Sequence, residues 1–470
     1  MQRITTLLLQ LTIWVSAVRA FYPFVPEDLC DPGEKCSSFT VKLVKGTSKV
    51  SKKVSNYYVS KPNPPTAPNS AGVYQNGPDY SYFVQAEIGS EKEPFYMLID
   101  TGAPNTWVMS AECPSPACRL HSNFNPSTST TFKADNKKFH IAYGTGEVAG
   151  TLGSDTITVA GLSVGMAFGV ATSAHDDFKH FAFDGILGLA MGESITGNFL
   201  RSLKSNNLVE KLMFAVTLNR DSDGVNDGQI TFGGVDKSKF TGEISYSSVP
   251  SPQKEKGEWT ILIDGVGFNG KSAGINSTLA AIDTGTSFIF APPDDVAALF
   301  KLVPGATPYE NSIYVEYKVP CNTHPITMTF AGVTYQIPTK DWLAGSGEKC
   351  LSRIYGLKGA SSWLVGDVFL KNVYSVFDAD NMRIGFATKV QPPKPTTTAV
   401  DITVSVISTG LPDDGSSRPV MPGTSEASEM TAPAEITATP TEQPVQASAH
   451  RLGSSLFALA ACALAVIAVL

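Results

Sequence analysis

Leu98-Ile99-Asp100-Thr101-Gly102 and, far downstream, Ala281-Ile282-Asp283-Thr284-Gly285 decide the reading of this chain. In each, apolar residues lead into an aspartate that is followed by threonine and glycine. One such triplet arises by chance in about one chain of this length in ten, since each residue type has an abundance of roughly 5–7%. Two in matched surroundings do not. The chemistry they suggest is a pair of carboxylates a few ångströms apart sharing one proton, so that one acts as base while the other acts as acid.

The matched surroundings extend further. Phe183-Asp184-Gly185-Ile186-Leu187-Gly188 follows the first triplet, and Trp363-Leu364-Val365-Gly366-Asp367 follows the second. Each places two apolar residues and a glycine at a similar distance from its aspartate. A repeat this long does not indicate a solenoid. It indicates two duplicated lobes, each presenting one aspartate at a shared cleft.

From about Tyr74 to about Val390 the chain resembles the pepsin and cathepsin D family of aspartic endopeptidases, peptidase family A1. The resemblance rests on motifs in family order: Tyr82-Phe83, Asp100-Thr101-Gly102 followed by Trp107-Val108, Tyr143-Gly144-Thr145-Gly146, Phe183 through Ala190, Phe232-Gly233-Gly234, Asp283-Thr284-Gly285-Thr286-Ser287, and Trp363 through Phe369 with Val376-Phe377-Asp378. It implies an all-β, bilobal pepsin-like fold with short helices and a cleft between pseudo-twofold-related lobes. It also implies that Asp100 and Asp283 are catalytic, binding one water between them and hydrolysing the peptide bonds of polypeptides without a metal or other cofactor. Thr101 and Thr284 would bond across the axis and support the pair. Tyr143, with Gly144 and Thr145, would form a flap over the substrate, its hydroxyl held by Trp107. Gly102 and Gly285 sit where the backbone must approach closely, at low cost only without a Cβ. Leu98, Phe178 and Ile186 would join Tyr143 around an apolar pocket, which points to hydrophobic residues on either side of the cut. Thr286 keeps the hydroxyl that the family places after each triplet, whereas Ala103 cannot donate, which leaves the usual acidity of the pair open. Two triplets in one chain exclude a homodimeric retroviral-type protease, and a monomer is expected.

Strand-like alternation supports the fold class, as in Thr156-Ile157-Thr158-Val159 and Gly228-Gln229-Ile230-Thr231-Phe232. Helices are expected at Phe199 to Leu212 and Pro293 to Leu302. The expected organisation is a first lobe over 70–245 and a second over 246–390, flanked by segments of other character.

Those flanks carry addresses. Met1 to Ala20 has Arg3, an apolar run and Val18-Arg19-Ala20, and reads as a secretory signal peptide over 1–20. Residues 21–69 read as an activation propeptide, for Ser37 to Pro78 holds no Asp or Glu yet carries Lys42, Lys45, Lys49, Lys52, Lys53 and Lys61. Such lysines are drawn to a carboxylate-lined cleft and released in acid; the alternative is a solvated basic linker. Lys52-Lys53 offers a dibasic processing site, while family spacing puts the mature start near Asn69. Residues 391–449 are rich in Thr, Ser, Pro and Ala and read as an O-glycosylated stalk. The tail over 450–470 ends in apolar Leu456 to Leu470, shorter than the roughly 20 residues that span a bilayer. Preceded by Ala447-Ser448-Ala449, it fits a glycosylphosphatidylinositol (GPI) attachment signal, with Ser448 as the candidate residue; a tail-anchor helix is the alternative. Together these place the protein on the outer face of the plasma membrane or cell wall, as in fungal surface proteases that it resembles.

The chain has 470 residues and a net charge of −7, which argues against a nucleic-acid partner. Of its 7 cysteines, Cys462 lies in the apolar tail. The others, Cys30, Cys36, Cys113, Cys118, Cys321 and Cys350, allow about fifteen pairings. The resemblance favours Cys113 with Cys118, Cys321 with Cys350 and, by elimination, Cys30 with Cys36, in an oxidising compartment. Asn276-Ser277-Thr278 is an N-glycosylation sequon. The competing reading is a catalytically inactive pepsin-like fold kept as a surface binding or adhesion protein; the intact aspartates, Thr286, Tyr143 and Trp107 oppose it.

Overall fold

The computed structural model describes residues 57–391 apart from Pro78 and Thr145, with nothing described for the Asn136 side chain. The signal peptide, most of the activation segment, the stalk, the apolar tail, Ser448 and the Cys30–Cys36 pairing lie outside the described residues. Two large sheets, a sheet that draws on both halves of the chain, and a four-stranded sheet make up the fold, the all-β bilobal architecture expected.

The duplication is explicit in the strand pairing. In the first half, Glu93–Asp100 runs parallel to Gly185–Gly188, which is antiparallel to Trp107–Met109, which in turn runs parallel to Leu162–Ala174. In the second half, Thr278–Ile282 runs parallel to Trp363–Val365, which is antiparallel to Ile289–Ala291, and that strand runs parallel to Ile354–Leu357. Each aspartate therefore stands at the end of an equivalent strand. The matched glycines are needed at the crossings. A Cβ on Gly188 would come within 2.6 Å of the Asn105 carbonyl, and one on Gly366 within 2.0 Å of the Thr286 carbonyl.

A six-stranded sheet joins the halves, in the order Phe240–Ser248, Arg383–Lys389, Val373–Asp378, Met213–Thr217, Gln229–Phe232, Ser70–Gly72. Its middle strands Met213–Thr217 and Val373–Asp378 are buried at every position, so they read as near-continuous apolar runs rather than as alternation. The division placed at residue 245 falls inside Phe240–Ser248.

The stretch before Ser70 is tied into this framework. Val59–Ser60 pairs with Tyr74–Asn76, the Tyr57 hydroxyl donates to the Lys179 carbonyl at 2.7 Å, Asn63 N–H donates to the Asn226 carbonyl at 2.8 Å, and the Thr66 hydroxyl donates to Asp236 at 2.5 Å.

Both expected helices form, shorter than their apolar patterns. Phe199–Ser205 starts at Asn198, whose side chain accepts from Arg201 N–H, and stops at Asn206-Asn207, where Asn207 turns to a φ of 56°. Pro293–Phe300 has Asp294 and Asp295 in its first turn, charges that suit a helix N-terminus. Cys113–Cys118 and Cys321–Cys350 are disulfide-bonded. The second closes a separation of 29 residues, a constraint worth about 3.6 kcal/mol by loop entropy. Asn276 is exposed in the turn before Thr278–Ile282.

Candidate active site

Asp100, the last residue of its strand, and Asp283, directly after its own, open closely matching loops that face each other. Thr101 Oγ1 donates to the Ile282 carbonyl at 2.7 Å and accepts from Thr284 N–H at 3.0 Å. Thr284 Oγ1 does the same in reverse, donating to the Ile99 carbonyl at 2.7 Å and accepting from Thr101 N–H at 3.2 Å. The two threonines thus lock the lobes together directly behind the carboxylates, through four bonds in a buried setting.

Gly102 and Gly285 explain why only glycine serves at those positions. A Cβ on Gly102 would sit 2.8 Å from the Asp283 carboxyl carbon, and a Cβ on Gly285 would sit 2.7 Å from that of Asp100. Each carboxyl group rests against the opposite loop, and the two carboxyl groups hydrogen-bond to each other.

Their surroundings are not equivalent. Asp283 accepts from Gly285 N–H at 2.8 Å, from the Thr286 hydroxyl at 2.5 Å and across the axis from Gly102 N–H at 3.1 Å. Asp100 accepts from the backbone N–H groups of Gly102 and Ala103, both at 2.9 Å and both on Oδ1. Burial, and then the neighbouring Asp283 charge, hold Asp100 well above the ordinary carboxylate range. Burial also raises Asp283, while the Thr286 hydroxyl and the Gly285 N–H pull it back. The donor set of Asp283 includes a side-chain hydroxyl that Asp100 lacks, so its surroundings favour the charged form more.

Above the pair lies a hairpin of Lys133–Tyr143 and Gly146–Val159, with Tyr143 opposite Gly146 at its tip. Gly144 is half-buried in the turn, and Thr145 lies outside the described residues. Trp107 Nε1 donates to the Tyr143 hydroxyl at 2.8 Å. Burial raises the phenol far above its usual range, and the Asp100 charge adds to the rise. Phe178 stands edge-on to Trp107 at 5.6 Å and to Tyr143 at 6.4 Å. Ile186 is in register with Leu98 on one side and Trp107 on the other. Leu98, Phe178 and Ile186 thus join Tyr143 and Trp107 in one apolar cluster.

The family profile described as "Eukaryotic aspartyl protease" matches residues 81–389. The chain belongs to the eukaryotic aspartyl protease family. Among curated proteins it is 40% identical over 350 residues to aspartic-type endopeptidase ctsD of Aspergillus fumigatus, covering 73% of each chain. It is 36% identical over 321 residues to embryonic pepsinogen of Gallus gallus, covering 66% of this chain and 80% of that protein. Cathepsin E of Aquarana catesbeiana is 36% identical over 324 residues, covering 66% of this chain and 79% of the relative.

In this aspartyl protease the sequence reading missed the burial of a third carboxylate near the pair. Asp367, 1% exposed, occupies the position after Gly366, and its Oδ1 has no hydrogen-bond partner among the described residues. Burial holds it well above the ordinary carboxylate range, while the Lys371 ammonium pulls it down. Leu189 follows Gly188 at the matching place in the other lobe. The departure from the repeat was the only available signal.

Proposed function

We propose that this protein is an acid-active aspartic endopeptidase in which Asp283 is the base and Asp100 the acid. Asp283 takes a proton from a water as its oxygen attacks the peptide carbonyl, and Asp100 gives its proton to the carbonyl oxygen. The tetrahedral product collapses as the nitrogen is protonated, breaking the C–N bond and returning the pair to a singly protonated state. The observation that carries this reading is the meeting of two buried carboxyl groups with unequal donor sets. Removing both charges removes the base, so activity falls as the last carboxylate is protonated in strong acid, and falls again when the shared proton is lost.

Tyr143, Gly144 and Thr145 act as a flap over the bound polypeptide, with Trp107 holding the Tyr143 hydroxyl, and Leu98, Phe178 and Ile186 support an apolar subsite beneath it. The enzyme is made as a secreted zymogen. Residues 21–69 hold the activation segment, with Lys52-Lys53 and the chain near Asn69 as its two candidate cuts; the bonds of residues 57–69 to the first lobe and the joining sheet favour the former. The mature protein acts as a monomer outside the cell, carries a glycan on Asn276 and is held by a GPI lipid at Ser448 through the 391–449 stalk.

The test is hydrolysis of a denatured protein across pH by acid-treated protein, with and without a statine-type transition-state analogue. Inhibition by the analogue together with loss of turnover in Asp283→Asn supports the reading. Full turnover in a folded Asp283→Asn variant overturns it. N-terminal sequencing of the secreted protein locates the cut, and release from cells by a phosphatidylinositol-specific phospholipase tests the anchor.

A further inference from the structure

On one side of the carboxyl pair, away from the flap cluster, a cavity of about 370 Å³ is floored by Gly102 and Asp283 and walled by Trp259, Glu193, Glu255 and Glu258. Two loops distant in sequence build that wall. Met191 N–H donates to the Gly257 carbonyl at 2.9 Å, and Trp259 Nε1 donates to the Leu189 carbonyl at 2.9 Å. Glycine is required at both contacts. A Cβ on Gly192 would meet the Lys256 carbonyl at 2.6 Å, and one on Gly257, whose φ is 70°, would meet Met191 and Gly192 backbone at 2.3 Å. The close seam brings Glu193 on one loop and Glu255 and Glu258 on the other into the lining of this one cavity. Lys256 is the single cation in the wall, and it stands 3.8 Å from Glu258.

We infer that this cavity is a subsite for a lysine or arginine side chain of the substrate, on the opposite side of the scissile bond from the residue seated against the Leu98–Phe178–Ile186 cluster. The inference rests on the proposed role of Asp100 and Asp283 and adds the substrate class. The cavity itself is part of the cleft, because Asp283 forms its floor. What the three carboxylates decide is the sign of the side chain it takes. With one ammonium against three glutamates and the charge of the pair, the field in the cavity favours a cation and opposes an aspartate or glutamate. The Trp259 wall and the glycine floor provide room for an aliphatic stem below a charged head. The substrate is then asymmetric, apolar on one side of the cut and basic on the other, rather than apolar on both.

The experiment uses the secreted, activated enzyme and a set of peptides with one fixed apolar residue at the cut. Lys, Gln or Glu is placed in turn at each of the three positions on either side, and kcat/KM is measured at the highest pH that supports turnover. The expected result is a Lys-to-Glu ratio of about tenfold or more at one position, on the side away from the apolar residue. Glu193→Gln, Glu255→Gln and Glu258→Gln each reduce the Lys-to-Gln ratio by about two- to fivefold, the range for one exposed charge pair. The triple variant flattens it, Lys256→Gln raises it, and added salt lowers it in the parent enzyme. Each ratio is taken within one enzyme, so a variant of lower overall activity still reports. No charge preference at any position, or a preference that survives in the triple variant, overturns the inference. Those results in an enzyme whose turnover needs Asp100 leave the carboxyl-pair reading standing, whereas turnover in Asp100→Asn sinks that reading instead.

Discussion

The loops Asp100-Thr101-Gly102-Ala103 and Asp283-Thr284-Gly285-Thr286 are near copies, and they differ where it matters for the proton. Their threonines make the same bonds across the axis, and their glycines are equally crowded by the opposite carboxyl group. At the fourth position Thr286 places a hydroxyl on Asp283, while Ala103 offers Asp100 only its backbone N–H. Duplication thus preserved the frame and let the electrostatics diverge. A symmetric frame carrying unequal donors is a simple way to assign one carboxyl group as base and the other as acid.

Breaking either half of the pair has the largest effect. Asp100→Asn and Asp283→Asn are each expected to lower kcat/KM by at least about 10²–10⁴-fold, the contribution of a positioned acid or base, with the circular dichroism spectrum unchanged. Unequal losses would show that one carboxyl group does most of the chemistry and weaken the shared-proton account.

The threonines test the symmetric part of the comparison. Thr101→Val and Thr284→Val each leave a buried N–H and a buried carbonyl without their partner, a cost of about 1–3 kcal/mol per unsatisfied group. Denaturant titration should find the two variants equally destabilised, since the hydroxyl-to-carbonyl distances match at 2.7 Å. A clear difference between them would mean that the lobes do not share the strain evenly.

Asp367 against Leu189 sharpens the contrast further from the centre. Burial holds the folded Asp367 carboxyl well above its usual range, so the unfolded chain loses this proton first as pH rises. Stability is then lost from the ordinary aspartate value near ~3.9 upward, until the folded group also ionises. Asp367→Asn removes that loss, and the difference in Tm between variant and parent should widen with pH through this window. A constant difference would show that Lys371 already neutralises the group.

The smallest effects belong to the fourth position itself. Ala103→Ser places a hydroxyl beside Asp100 as Thr286 does for Asp283, favouring the ionised pair and moving the acidic limb of the kcat/KM profile downward. Thr286→Ala removes a donor and moves the same limb upward. The shifts are expected to be about one pH unit or less, because the two groups share the change. Coincident limbs in all three proteins would mean that the backbone N–H groups suffice.

The repeat and the crowded glycines were legible in the residues themselves, whereas the cross-axis threonines, the Tyr143–Trp107 pairing and two disulfides were expected only through the resemblance to the pepsin family. The first two are short motifs with a local backbone demand; the others join residues far apart along the chain, as Thr101 with Ile282 and Trp107 with Tyr143, and no spacing reveals them. Helix ends were less legible: the apolar pattern of Phe199 to Leu212 runs on, but the chain turns at Asn207, where φ is 56°. The sequence alone therefore determined that this chain carries two aspartates on duplicated loops. Only the tertiary structure decided how many donors each carboxyl group receives, that Asp367 is buried with an oxygen unpartnered among the described residues, and that Glu193, Glu255, Glu258 and Asp283 line one cavity. The physical reason is that charge acts through distance and burial, and residues far apart along the chain acquire both only when the lobes close on each other.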